Sequence, residues 1–110
     1  VRPALGLDAT LAALADPNRR RVVDLLRGGA RPAGDIAREV GVAPPAMSRA
    51  LKALKDAGLV TEHHPPHDSR VRIYELRTGP MGELRDWLDE TEAMWSDQLV
   101  AFREHLAKET

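Results

Sequence analysis

The chain contains no cysteine among its 110 residues. That excludes a disulfide framework, a thiolate metal site and a cysteine nucleophile, and it fits a cytoplasmic protein. Aromatic residues are scarce, at 4%, too few for base stacking to be the main mode of contact with a single nucleic-acid strand. No apolar run is long enough to cross a bilayer, so no membrane partner is expected. The opening Val1-Arg2-Pro3-Ala4-Leu5-Gly6 does not look like a signal peptide. There is no glycine-rich phosphate loop and no nucleophile–base pair in a recognisable context, which argues against an enzyme.

What is present suits one folded domain: 43% hydrophobic and 30% charged residues. The net charge of −1 hides an asymmetry. Residues 1–80 carry 13 Lys and Arg against 9 Asp and Glu, whereas residues 81–110 carry 3 against 8. A basic body followed by an acidic segment is the pattern of a protein that turns only its first part toward phosphate.

Helices dominate the periodicity. Leu11 and Leu14 share a face of a first helix over 8–14, with Asp8 as its cap. Asp16-Pro17 restarts the chain as N-cap and first-turn proline of a second helix, which buries Val22, Val23, Leu25 and Leu26 and stops at Gly28-Gly29. A third helix over 33–40 buries Ile36, Ala37 and Val40 and ends at Gly41. Pro44 opens a fourth, ending at Ala57 before Gly58, with Met47, Leu51 and Leu54 inward. The period then changes: residues 59–62 leave as a strand and Val71, Ile73 and Leu76 return as another, around a proline-broken tip of His63-His64-Pro65-Pro66-His67-Asp68-Ser69-Arg70. From Gly79-Pro80 a long helix carries Leu84, Trp87, Leu88, Thr91, Trp95, Leu99, Phe102 and Leu106 at steps of three and four. Roughly 28 residues of helix span about 42 Å, more than so small a body can cover, so a second copy is the simplest partner.

The third and fourth helices form a helix–tight turn–helix. Ala37 allows the close crossing, Gly41 supplies the positive φ, Val42 anchors the turn and Met47 fills the angle. The outer face of the fourth helix then presents Ser48 and Arg49 for base edges, Lys52 and Lys55 for phosphates, and Pro45 and Ala46 for thymine methyl groups. Arg70 and Arg72 on the hairpin reach toward the minor groove or the backbone. Of Arg19, Arg20 and Arg21, one is expected to serve structure through Asp16 or Asp24, the others facing solvent or phosphate.

The runs Leu14-Ala15-Asp16-Pro17-Asn18-Arg19-Arg20-Arg21, Pro45-Ala46-Met47-Ser48-Arg49-Ala50-Leu51-Lys52-Ala53-Leu54-Lys55-Asp56-Ala57-Gly58-Leu59-Val60 and Asp68-Ser69-Arg70-Val71-Arg72-Ile73-Tyr74-Glu75-Leu76 resemble the ArsR (arsenic-repressor-like) family of winged helix-turn-helix regulators over residues 8–78. The tail from Leu84-Arg85-Asp86-Trp87-Leu88 through Trp95 resembles a non-metal branch, often encoded beside START-like ligand-binding proteins. The resemblance implies a mainly α fold with a small β-hairpin: one winged helix-turn-helix domain over 1–110, with a DNA-binding body at 8–78 and a C-terminal dimerisation helix at 80–108. It also implies a homodimeric (auto)repressor of a palindromic operator on double-stranded DNA. The DNA contacts carried over are Ser48, Arg49 and Lys52. The dimer seam is expected at Leu11, Leu84, Leu88, Trp95, Leu99 and Phe102. Ala43 stands where the family usually has a Ser or Thr cap, and Ala50 where it often has His.

No cofactor and no metal are expected. His63, His64 and His67 with Asp68 sit on a poorly preorganised tip, and His105 with Glu104 and Glu109 lacks the family's familiar Asp-x-His start. Two other readings stay open: a winged helix used as a protein-interaction scaffold, and a sensor gated by metal or by an unidentified small-molecule effector.

Overall fold

The computed structural model describes residues 2–109, and the side chains of residues 6–108. The elements run α1 (Arg2–Leu14), α2 (Pro17–Leu26), β1 (Arg31–Pro32), α3 (Ala33–Val40), α4 (Pro44–Asp56), β2 (Val60–His63), β3 (Ile73–Leu76) and α5 (Thr78–Glu109). Most of Val1–Gly6, and the Glu109 side chain, lie outside the described side chains.

The sequence explains the joints. Asp16 caps α2 by accepting the Arg19 backbone N–H at 3.0 Å, with Pro17 in the first turn. The α3–α4 turn hinges on Gly41, at φ 76°. Nothing lies within 4 Å of the place a Cβ would take there, so a side chain would meet backbone strain alone. Gly41→Ala should therefore lower stability by about 1 kcal/mol, read by urea titration, without moving the helices; an unchanged midpoint would contradict the strained turn. The α4 exit is a Schellman motif: Leu59 N–H donates to Leu54 O and Gly58 N–H to Lys55 O, both at 3.0 Å, with Gly58 left-handed at φ 80°. Leu54 and Leu59 are both fully buried beside it. This motif fixes the angle at which the wing leaves α4.

The core is a single cluster in which Val22, Val23, Leu26, Ile36, Met47, Leu51, Leu54, Leu59, Val60 and Tyr74 meet. Leu25, Ala37, Val40 and Val42 pack half-buried around it. Among the described residues, Thr10 is the buried polar one, satisfied by its hydroxyl donating to Gly6 O at 3.0 Å.

Three expectations need correcting, and one strand is added to the expected hairpin. α1 begins at Arg2, so Asp8 is mid-helix and caps nothing. The hairpin is part of a three-stranded antiparallel sheet, ordered β1-β3-β2. β1 pairs Arg31 with Tyr74 and Pro32 with Ile73; its proline is tolerated because the strand lies at the edge. The return strand starts at Ile73 rather than Val71, whose carbonyl instead accepts from the His64 ring Nδ1 at 2.8 Å. Finally, the guanidinium groups of Arg19 and Arg20 do not turn to Asp16 or Asp24. Arg19 donates to Ala13 O at 2.7 Å and Ala12 O at 3.2 Å, and Arg20 to Leu14 O at 2.7 Å. They close the orphan carbonyls at the end of α1, where the helix dipole favours a cation.

α5 has 32 residues, about 48 Å of helix. Its base packs on α1, and the rest projects, giving extents of 71 × 30 × 21 Å. The radius of gyration is 19.1 Å, against about 13 Å for a compact chain of this length.

Candidate nucleic-acid interface

The helix-turn-helix places the charged face of α4 outward because its apolar face is fully used. Met47, Ala50, Leu51 and Leu54 are buried under it. Ser48, Arg49, Lys52 and Lys55 are exposed, Pro45 is exposed at the helix start, and Ala46 is half-buried. Ala43 makes no side-chain cap; Pro44 starts the helix instead. Ala50, where the family often carries His, faces the body in this chain.

Arg70 is exposed near the wing tip, and the wing brings Arg72 against the end of α4. A groove of about 380 Å³ lies between them, lined by Ser48, Lys52, Lys55, Glu62, Arg72 and Tyr74. Lys52 pairs with Asp56 at 2.8 Å, Lys55 with Glu62 at 2.9 Å and Arg70 with Asp68 at 3.3 Å. Arg72 stands 3.7 Å from Glu62. Among the described residues Arg49 has no such partner in any of these pairs.

Glu62 and Tyr74 were not singled out by sequence reasoning, yet they join the wing to α4. They face each other across the β2–β3 ladder, and the Tyr74 hydroxyl donates to Glu62 Oε2 at 2.7 Å. The hydrogen bond from Tyr74, then that from Lys55, holds the Glu62 carboxyl below the usual carboxylate range. Burial, then the bond to Glu62, pushes the Tyr74 hydroxyl up to about 12. Glu62 thus adds stability above its unfolded value near 4.5, lost as pH falls through the depressed folded value. The raised Tyr74 value adds stability that is complete below 10 and lost as pH rises toward 12. Tyr74 is the one tyrosine in the chain, so tyrosinate absorbance reports it alone. The midpoint should lie near 12; a midpoint near 10 would contradict the buried bond.

Among the described residues, no three His, Asp or Glu side chains converge as a metal-binding group, and no helix is long and apolar enough to cross a membrane.

On α5 the apolar residues are left open. Leu88, Trp95, Leu99, Phe102 and Leu106 are 49–60% exposed and recur at steps of seven, four, three and four, a heptad seam. Trp87, Met94 and Val100 flank it, also exposed. Leu11 on α1 is exposed, while Leu84 is half-buried at the base. Met94 stands seven residues after Trp87 beside the seam, and Val100 follows Leu99 on its flank.

A model described as a helix-turn-helix domain matches residues 14–63. The chain is similar to the transcriptional repressor SdpR of Bacillus subtilis, 34% identical over 76 residues, which cover 69% of this chain and 81% of that one. It is also similar to the HTH-type transcriptional regulator Rv2034 of Mycobacterium tuberculosis, 35% identical over 102 residues, 93% and 90% of the two chains. A solved ArsR family transcriptional regulator superposes with a TM-score of 0.74 at 28% identity, over 84% of this chain and 93% of that one. An ArsR-like regulator from Rhodococcus shares the fold at a TM-score of 0.76 and 24% identity, over 94% and 95%. The chain therefore belongs to the ArsR family of winged helix-turn-helix transcriptional regulators, DNA-binding proteins that are not enzymes.

Proposed function

We propose that this regulator is a homodimeric autorepressor of a palindromic operator. The observation that carries the reading is the open apolar seam of α5, which one protomer cannot cover. A second copy buries the seam and sets two α4 helices in successive major grooves, about 34 Å apart. Arg49 reads guanine, Ser48 takes a base edge or phosphate, and Pro45 and Ala46 meet thymine methyl groups. Lys52, Lys55, Arg70 and Arg72 face the backbone. One domain over 1–110, with its DNA-binding body at 8–78 and its dimerisation helix at 80–108, is the organisation that goes with this.

The test is fluorescence anisotropy with a labelled duplex from upstream of the chain's own gene, a scrambled duplex and a salt series. Tight, selective, salt-sensitive binding is the expected result. Absence of binding to either duplex at low salt would favour the interaction-scaffold reading instead.

A further inference from the structure

Four of the five cations on the proposed DNA face, Lys52, Lys55, Arg70 and Arg72, stand beside an acid of this chain. Those acids are not equivalent. The Lys52–Asp56 pair is solvent-exposed on both sides, and a phosphate displaces such a pair at little cost. The Glu62 side chain is only 17% exposed. It accepts the Tyr74 hydroxyl through Oε2 and Lys55 through Oε1, and it neighbours Arg72. Tyr74 is 3% exposed, so Glu62 cannot swing away without leaving a buried hydroxyl unpaired. The groove between α4 and the wing therefore has a fixed negative charge in its wall, and a phosphate that approaches Lys55 or Arg72 also approaches Glu62.

We propose that Glu62 is a specificity-determining residue, an anchored anion that holds Lys55 and Arg72 back from phosphate so that operator choice rests on Arg49 and its neighbours on α4. Non-specific affinity comes almost wholly from phosphate contacts, whereas base contacts carry the sequence. Lowering the first without touching the second widens the gap between operator and random DNA, which is selectivity by repulsion. The proposal rests on the reading of α4 and the wing as the DNA interface.

The test compares wild type with Glu62→Gln, which keeps the shape and can still accept from Tyr74. Anisotropy is read on an operator selected from random duplexes and on a random duplex of equal length, over a salt series. Glu62→Gln should bind the random duplex about tenfold tighter near 0.1 M salt, with a slope steeper by about 1–2 per protomer. The operator-to-random ratio should fall. Lys55→Met should cost several-fold more random-duplex affinity in the Gln background than in wild type, a coupling that a merely structural role would not produce. An unchanged slope and ratio in a Gln variant that melts like wild type would overturn the proposal. If Glu62→Gln does not fold, Lys55→Met and Arg72→Met decide alone: a smaller loss of random-duplex affinity than Lys52→Met causes supports restraint, and an equal or larger loss overturns it. Arg49→Ala separates the two failures. Its operator affinity should drop toward the random level; binding equal to wild type would remove the interface itself, and the role of Glu62 with it.

Discussion

Leu99→Glu should convert the dimer to a monomer and weaken operator binding by at least a hundredfold. Leu99 lies near the middle of the α5 seam and is 57% exposed in the protomer. The substitution therefore places a carboxylate in water in the monomer and in an apolar interface in the dimer. Burial of an unpaired charge is too costly for that interface to persist. The body should be untouched, because Leu99 is not part of the core cluster. The loss at DNA follows from linkage: a protomer holding one half-site no longer delivers its partner to the second at high effective concentration, a factor of about 10²–10⁴. Sedimentation velocity reads the assembly, anisotropy reads the operator, and far-UV circular dichroism shows whether the helices are kept. A Leu99→Glu protein that remains dimeric would place the interface elsewhere.

Leu54→Ala should destabilise the fold by about 3 kcal/mol, within the 2–5 kcal/mol usual for truncating a buried leucine. Leu54 is fully buried on the underside of α4, and its carbonyl accepts the bond that ends the helix. The cavity would thus open where α4, β2 and the core meet. Because association adds to apparent stability, urea titrations must hold protomer concentration fixed. A loss under 1 kcal/mol would mean that the α4–wing junction is looser than its burial shows. The two variants separate the layers of the account: Leu99→Glu acts on assembly with the fold intact, and Leu54→Ala on the fold before assembly.

The helices between Asp16 and Gly58 were legible because their ends carry local chemistry. An acid followed by proline starts α2, and glycines that adopt positive φ stop α3 and α4. The α4 face was legible for the same reason: a clear apolar stripe leaves Ser48, Arg49, Lys52 and Lys55 outside. β1 was not, because two residues, one of them proline, carry no strand pattern; their pairing with β3 creates the strand. The roles of Arg19 and Arg20 depend on where α1 ends in space, six to seven residues back along the chain. Glu62 was hidden for a related reason. Its partners Tyr74 and Lys55 are brought together by strand register and by the exit angle at Gly58, and neither can be counted off as a spacing.

The most direct test of the central claim is selection of duplexes from a random pool by the full chain, followed by sequencing. Two α4 helices related by a two-fold axis predict an enriched inverted repeat whose half-site centres lie about 10 base pairs, or a whole number of turns, apart. Enrichment of a single unrepeated site, or no enrichment at all, would contradict it.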